Sequence, residues 1–368
     1  MSALWPQDGG YGFPVSRELR EESFDDNLWM RNTEMIEQQI TRAMLSVDWG
    51  GTWCRAALVD RHGEILWGDR RTNPRGGDTA QYLALADALL GEALAVEGTW
   101  ADGIGVAVAG PVDPESGILY QPPNLMALDG VSLKRVWGER FGLPVVLGND
   151  ANLAAMGEYH YGAGRDALRA GHPLKSLFYV TISTGIGGGA VEAGRLLLGA
   201  NGLTAEVGHT TVDTSVDAPL CQCGKLGCLE AVSSGTAISN YARSSLAEGR
   251  YPDSLLTAMA PEQLSARAVV EAAIQGDALS MSAMGRAVEG LGIGLANAVH
   301  LFNPDLIILG GGVSAGLRDL DLLPSIREAI QARLMSELHK AFHLVPSALG
   351  DNSGILGAAA AAWEQSGL

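Results

Sequence analysis

Three cysteines crowd between positions 221 and 228, and a histidine stands twelve residues before the first of them. Cys221, Cys223 and Cys228 offer three thiolates and His209 an imidazole, together the closed four-ligand set of a structural Zn2+ site. Gly224 and Gly227 allow the backbone to turn tightly between the sulfurs. A disulfide or three unrelated buried thiols are the other readings of the same spacing. Because four ligands leave no open position, the metal is given no catalytic part. Glu206 and Glu230 flank the cluster. Held rigidly, two such acids would accept hydrogen bonds from ligand hydroxyls; left in solvent, each would be an ordinary surface acid.

Phosphate chemistry is offered by the runs Asp48-Trp49-Gly50-Gly51-Thr52, Thr184-Gly185-Ile186-Gly187-Gly188-Gly189 and Gly310-Gly311-Gly312. Where side chains are missing, backbone N–H groups can converge on phosphate oxygens. A single such run is equally a tight hairpin turn. The pattern GxxxxGK[ST] is absent from the chain, which removes the P-loop route. Asp48 can hold Mg2+, directly or through water. Asp150, within Asn149-Asp150-Ala151-Asn152, falls where a strand pattern gives way to a helix pattern, the ligand edge of an α/β sheet. It is either the N-cap of that helix or a carboxylate placed to take a hydroxyl proton in phosphoryl transfer.

These side chains need elements to position them. From residue 44 the pattern predicts three antiparallel strands (44–47, 56–59, 64–67), then helix 80–95, strand 104–108, helix 133–141, strand 144–147 and helix 151–161. The plan then repeats: strand 177–183, a glycine turn over 184–189, returning strands 190–192 and 194–198, and a later strand 306–309 running into Gly310-Gly311-Gly312. Two copies of one plan predict two related α/β lobes facing each other across a cleft. The final helix, 354–365, is expected to pack back on the first lobe. The expected divisions are an N-terminal extension 1–43, a lobe of 44–162 plus 353–368, and a lobe of 163–352 carrying the knuckle. Within the extension, Asp25 and Asp26 are placed to cap a helix running to about Arg42. Trp49 is expected to face the phosphate turn and Cys54 the core. His62, His160, His172, His300 and His339 lack a spaced partner and are taken as structural or surface residues.

A net charge of −17 disfavours nucleic acid, which requires a basic footprint, but not a nucleotide held by backbone amides and one cation. No apolar run approaches the ~20 residues of a membrane span. The first ten residues lack the basic-then-apolar pattern of a signal peptide. Four cysteines, three of them clustered, suit a reducing cytoplasm.

In their order along the chain, these motifs resemble those of the ROK family of bacterial sugar kinases, transcriptional repressors and uncharacterised reading frames. The resemblance runs from about Met44 to the C-terminus. It implies a two-lobed actin-like ATPase (ribonuclease H-like) fold, with duplicated βββαβαβα lobes and a central cleft where ATP and a hexose meet. Asp150 would deprotonate the sugar's 6-hydroxyl for attack on the γ-phosphate. Asn124, Asn149, Asp150, Glu206, His209 and Glu230 match the family's hexose-contacting positions, with one ring nitrogen of His209 on zinc and the other towards the sugar. Asp48, Gly50, Gly51, Thr52, Thr184, Gly185, Gly187, Gly188, Gly311 and Gly312 would hold ATP with its Mg2+. Residues 228–237 are most similar to the family's glucokinases, so glucose leads as acceptor, ahead of mannose, N-acetylmannosamine, N-acetylglucosamine and fructose. Dimers or tetramers are also implied. The chain departs from the family at Trp49 and Trp53, which replace smaller or basic residues, and at Ala205, where glycine is frequent. The family's repressors carry a winged-helix domain before the kinase-like body. The 43 residues before the first predicted strand are short and acidic for that.

Overall fold

The computed structural model describes residues 40–367. The helix expected up to about Arg42 therefore lies outside the described residues, except at its end, where Thr41 and Arg42 already belong to a strand. Three antiparallel strands come first: β1 (Thr41–Trp49), β2 (Trp53–Asp60) and β3 (Ile65–Thr72). Helix α1 (Thr79–Leu94) opens on a capping box between Asp78 and Gln81 and leads to β4 (Thr99–Val108). A small hairpin of β5 (Val112–Asp113) and β6 (Ile118–Leu119) precedes α2 (Leu133–Phe141), β7 (Val145–Asn149) and α3 (Asp150–Tyr161). The first sheet has the order β3-β2-β1-β4-β7, with β4 and β7 parallel to β1.

After α4 (Ala163–Arg169) the chain builds a second sheet from β8 (Ser176–Ile182), β9 (Ile186–Glu192) and β10 (Arg195–Leu196). The knuckle segment follows, then α5 (Leu229–Ser233), α6 (Gly235–Ala247), α7 (Ala266–Ile274) and α8 (Ala278–Phe302). Strand β11 (Leu306–Gly310), α9 (Gly312–Asp319), α10 (Leu323–Gln331), β12 (His343–Pro346) and α11 (Ser353–Ser366) complete the chain. The second sheet runs β10-β9-β8-β11-β12 with the same pattern of antiparallel and parallel pairs as the first. Among the described residues no helix is long and apolar enough to cross a membrane.

Alternation along β1 explains the layers. Ala43, Leu45, Val47 and Trp49 face a core shared with Tyr82, Leu89 and Leu90 of α1 and Leu133 and Trp137 of α2. Met44, on the other face, joins a core with Ala155 and Met156 of α3, Leu177 and Tyr179 of β8, and Ile355 and Ala359 of α11. Helices α3 and α11 thus lie between the two sheets. They touch backbone to backbone: a Cβ on Gly357 would fall 1.9 Å from the Leu153 carbonyl oxygen.

One placement differs from expectation. Gly187, Gly188 and Gly189 are not in a turn but inside β9, and the turn itself is only Ser183–Gly185. A Cβ on Gly187 would stand 2.9 Å from that of Ala151, and one on Gly188 would stand 2.4 Å from the Ala205 carbonyl oxygen. The glycines bring α3 and the 205 segment against the strand, so their shortness serves packing.

Candidate active site

Strand β7 delivers Asn149 and Asp150 to the first turn of α3. Asn149 takes the cap: its side-chain oxygen accepts from the N–H groups of Ala151 at 3.0 Å and Asn152 at 3.3 Å. Asp150 is therefore the first helical residue rather than the cap. Burial, then the negative charges of Asp48 and Glu206, push its pKa up to about 7, against the pull of the Ala151 N–H. Asp48, near the end of β1, is ion-paired with Arg55, its cross-strand neighbour on β2. Burial raises the pKa of Asp48, and the Arg55 charge opposes the rise.

In the first glycine turn, the Gly50 N–H donates to the Trp53 carbonyl at 3.0 Å, which closes the β1–β2 hairpin. Gly51 lies directly on Asn124, where a Cβ would come within 2.5 Å of the Asn124 Cβ. Trp49 does not face this turn, contrary to expectation. It is fully buried, with its ring 6.0 Å from Trp137 at 7° and 6.3 Å from Tyr82. The period-2 alternation of β1 sets it on the core face while Asp48 lies on the opposite face, against Gly354 of α11. Of the two tryptophans flanking this turn, Trp53 is the exposed one, with the Arg70 guanidinium 4.9 Å from its ring centre.

The ligand atoms of His209, Cys221, Cys223 and Cys228 lie within 4.8 Å of one another. Cys223 Sγ and Cys228 Sγ are 3.7 Å apart, and Cys221 Sγ is 3.7 Å from His209 Nδ1. Tetrahedral Zn2+ with Zn–S near 2.3 Å requires sulfurs about 3.8 Å apart, so the donor set fits that ion. The 3.7 Å approach sets Nδ1 against the cluster, so Nε2 is the ring nitrogen left for another partner. Glu230, in the first turn of α5, accepts the Ile186 N–H at 2.9 Å and has its other oxygen 3.6 Å from Cys221 Sγ. Gly185 makes room for it, since a Cβ there would fall 2.4 Å from Glu230 Oε2. Glu206 keeps one side open to solvent, yet burial pushes its pKa up, with His209 opposing and Glu230 reinforcing.

Two cavities meet here. One, of about 790 Å³, is bordered by Asn124, Gly185, His209 and Glu230. The other, of about 700 Å³, is bordered by Gly235, Arg243, Val313 and Gly312, at the start of α9. Thr184 and Thr236 line both, and the Thr236 hydroxyl donates to the Thr184 carbonyl at 2.8 Å. The structure thus gathers Asn124, Thr184, Gly185, His209 and Glu230 around one cavity, with Gly312 at the second and Gly311 capping its helix. The charges of Asp48 and Glu206 both act on Asp150. Gly187 and Gly188 border neither cavity, and neither do Asp48, Gly50, Gly51, Thr52, Asn149, Asp150 and Glu206. Sequence reasoning passed over Arg55, Asn73, Thr236 and Arg243; of these only Arg55 had a legible signal, a cation one hairpin step from Asp48.

The sequence profile described as ROK family matches residues 44–365. A glucokinase of Thermotoga maritima is 36% identical over 329 residues, 88% of this chain and 98% of that protein. A putative xylose repressor of Caldicellulosiruptor sp. is 32% identical over 320 residues, 86% of this chain and 77% of that protein. Among solved structures, a ROK family glucokinase from Streptomyces griseus in complex with glucose and AMPPNP superposes with a TM-score of 0.70 at 32% identity, covering 86% of this chain and 98% of that one. With a profile match across nearly all of the described residues and the duplicated sheets in place, this chain belongs to the ROK family and has its two-lobed actin-like ATPase fold.

Proposed function

We propose that this chain is an ATP-dependent kinase that phosphorylates a hexose on its 6-hydroxyl, with glucose as the leading acceptor. The observation that carries the reading is Asp150: a half-buried carboxylate relieved of capping by Asn149, with a pKa of about 7, within electrostatic reach of Asp48 and Glu206. A base near pKa 7 is well matched to a reaction at neutral pH. Asp150 takes the proton of the 6-hydroxyl as that oxygen bonds to the γ-phosphorus; the bond from the γ-phosphorus to the β–γ bridging oxygen breaks, and ADP leaves.

Asn124, Glu206, Glu230 and Nε2 of His209 would hold the sugar. Asn149 would contribute through the second N–H of its amide, its oxygen being engaged by α3 and its nitrogen already donating to the Gly110 carbonyl at 3.5 Å. Thr184, Gly311 and Gly312 would border ATP, with Gly51 and Thr52 at its phosphates. Gly50 shapes that turn, because its N–H is engaged by Trp53. Mg2+ bound with ATP supplies charge neutralisation, and Asp48 is the residue that would hold it. Zn2+ in the His209–Cys221–Cys223–Cys228 set would be structural, and the sulfur spacing supports it. The same reading divides the body into lobes of 44–162 plus 353–368 and 163–352, a division supported by one sheet in each. Free thiols and a zinc cluster suit a cytoplasmic setting.

Coupled ADP release across glucose, mannose, N-acetylglucosamine, N-acetylmannosamine and fructose tests the reading, with Asp150→Asn beside the wild type. Glucose should turn over fastest. The variant should lose at least about 100-fold in kcat while its sugar KM stays within about threefold. Absence of turnover with every sugar, together with salt-sensitive, sequence-specific DNA binding, would favour the repressor reading instead.

A further inference from the structure

We propose that Asn73 is a positioning residue for the nucleotide, clamping the turn of Gly50 and Gly51 from beneath through a network that the tryptophan at position 49 requires. The proposal rests on reading Asp48–Thr52 as the phosphate turn. Trp49 carries its indole N–H into a fully buried site among Trp137, Tyr82 and aliphatic side chains. A buried N–H without an acceptor is strongly unfavourable. Asn73 supplies the acceptor: Trp49 Nε1 donates to its Oδ1 at 3.0 Å.

That bond fixes the orientation of the Asn73 amide, because indole nitrogen is a donor only. The amide nitrogen is thereby turned upward, where it donates to the carbonyls of Gly50 at 2.8 Å and Gly51 at 3.0 Å. The Asn73 backbone N–H donates to the Thr52 carbonyl at 2.9 Å. One buried residue thus holds four consecutive residues, 49 to 52, and Pro74 behind it restricts Asn73 itself to extended backbone. Two adjacent glycines are the most conformationally free pair a turn can contain. Fixing both of their carbonyls fixes the peptide planes, and with them the direction of the N–H groups that would meet phosphate oxygens. The stacked indole of Trp49 anchors the clamp to the core between β1, α1 and α2.

The test is steady-state kinetics and calorimetric ADP binding on the full chain with Asn73→Ala, Asn73→Asp, Trp49→Phe and Thr52→Ala. Loss of the two hydrogen bonds to the Gly50 and Gly51 carbonyls predicts a rise in the ATP KM of about tenfold or more in both Asn73 variants, with ADP affinity falling in parallel. The sugar KM should stay within about twofold, a split that a general loss of packing would not produce. Asn73→Asp keeps the volume and the acceptor for Trp49 while removing both donors, so it carries the test should Asn73→Ala fail to fold. Trp49→Phe keeps the stacking and should produce a smaller change in the same direction. If Thr52→Ala weakens ATP while both Asn73 variants leave its KM unchanged, the clamp is refuted and the phosphate turn stands. If Thr52→Ala also leaves ATP unaffected, the turn is not at the nucleotide and both readings fall. Equal rises in the ATP and sugar KM would reduce Asn73 to a packing residue and overturn the proposal.

Discussion

Asp150 is held as an acid much weaker than an ordinary carboxylate, and two measurable consequences follow from the sign of that shift. A native pKa of about 7 lies above the unfolded value of roughly 3.9, so between these limits the native state binds a proton that the unfolded state has released. Stability contributed at this site therefore falls as pH rises through that window. Asp150→Asn removes the penalty, and its melting temperature should exceed that of the wild type by at least about 2 °C at pH near 8, with the gap closing towards pH near 4. In catalysis the sign reverses, because the base works only when ionised. The kcat/KM for sugar should climb with pH and level off above about 7, a limb that Asp150→Asn lacks. A profile flat across that range would remove Asp150 as the base. From sequence, Asn149 and Asp150 could not be told apart as caps, since both types cap well and one residue of helix phase decides between them. Trp49 was more legible than its proximity to Asp48 suggested: alternation with Leu45 and Val47 already puts it on the core face.

The knuckle is an element with little apolar material of its own. Val216, Leu220 and Leu226 are exposed, and isolated bridges pair Thr211 with Cys228 and Leu220 with Leu226. A segment so short of buried surface would take its order from an ion held by the four ligands. Metal analysis should find about one zinc per chain, lost in Cys223→Ser. Because His209 and Glu230 border the same cavity as Asn124, zinc loss should raise the sugar KM by about tenfold or more and leave the ATP KM much less changed. A zinc-free chain that is folded and fully active would refute the site. The cluster was legible because thiol spacing constrains a metal locally. Strand β9 was not, because its glycines answer to Ala151 and Ala205, distant in sequence. Strand β12 was hidden too, being four residues at a sheet edge, half exposed and ending in proline.

Among the described residues two five-stranded sheets share one topology with α3 and α11 between them, and the chain passes from the first sheet to the second through α3 and α4 and leaves the second again into α11. The duplication could be read from the repeated hairpin plan, since each copy carries its own apolar periodicity. The joint between the copies could not, because Glu158 looks in sequence like any acid on a helix. In the structure its carboxylate is fully buried at the end of α3, where it accepts the Ala163 N–H at 2.9 Å on the outward passage. On the return passage it accepts the N–H groups of Leu349 at 3.0 Å and Ala348 at 3.3 Å, together with the Ser347 hydroxyl. One side chain thus ties both passages, which are where any closing of the cleft must bend. Glu158→Gln turns an acceptor towards these donors into a donor and should cost about 1–3 kcal/mol in urea unfolding. Because the tie lies at the joint, kcat and the sugar KM should shift together, although the residue contacts neither cavity. Reduced stability with unchanged kinetics would make Glu158 a staple alone, and an unchanged urea midpoint would show that the passages are held by the packing of α3 on α11.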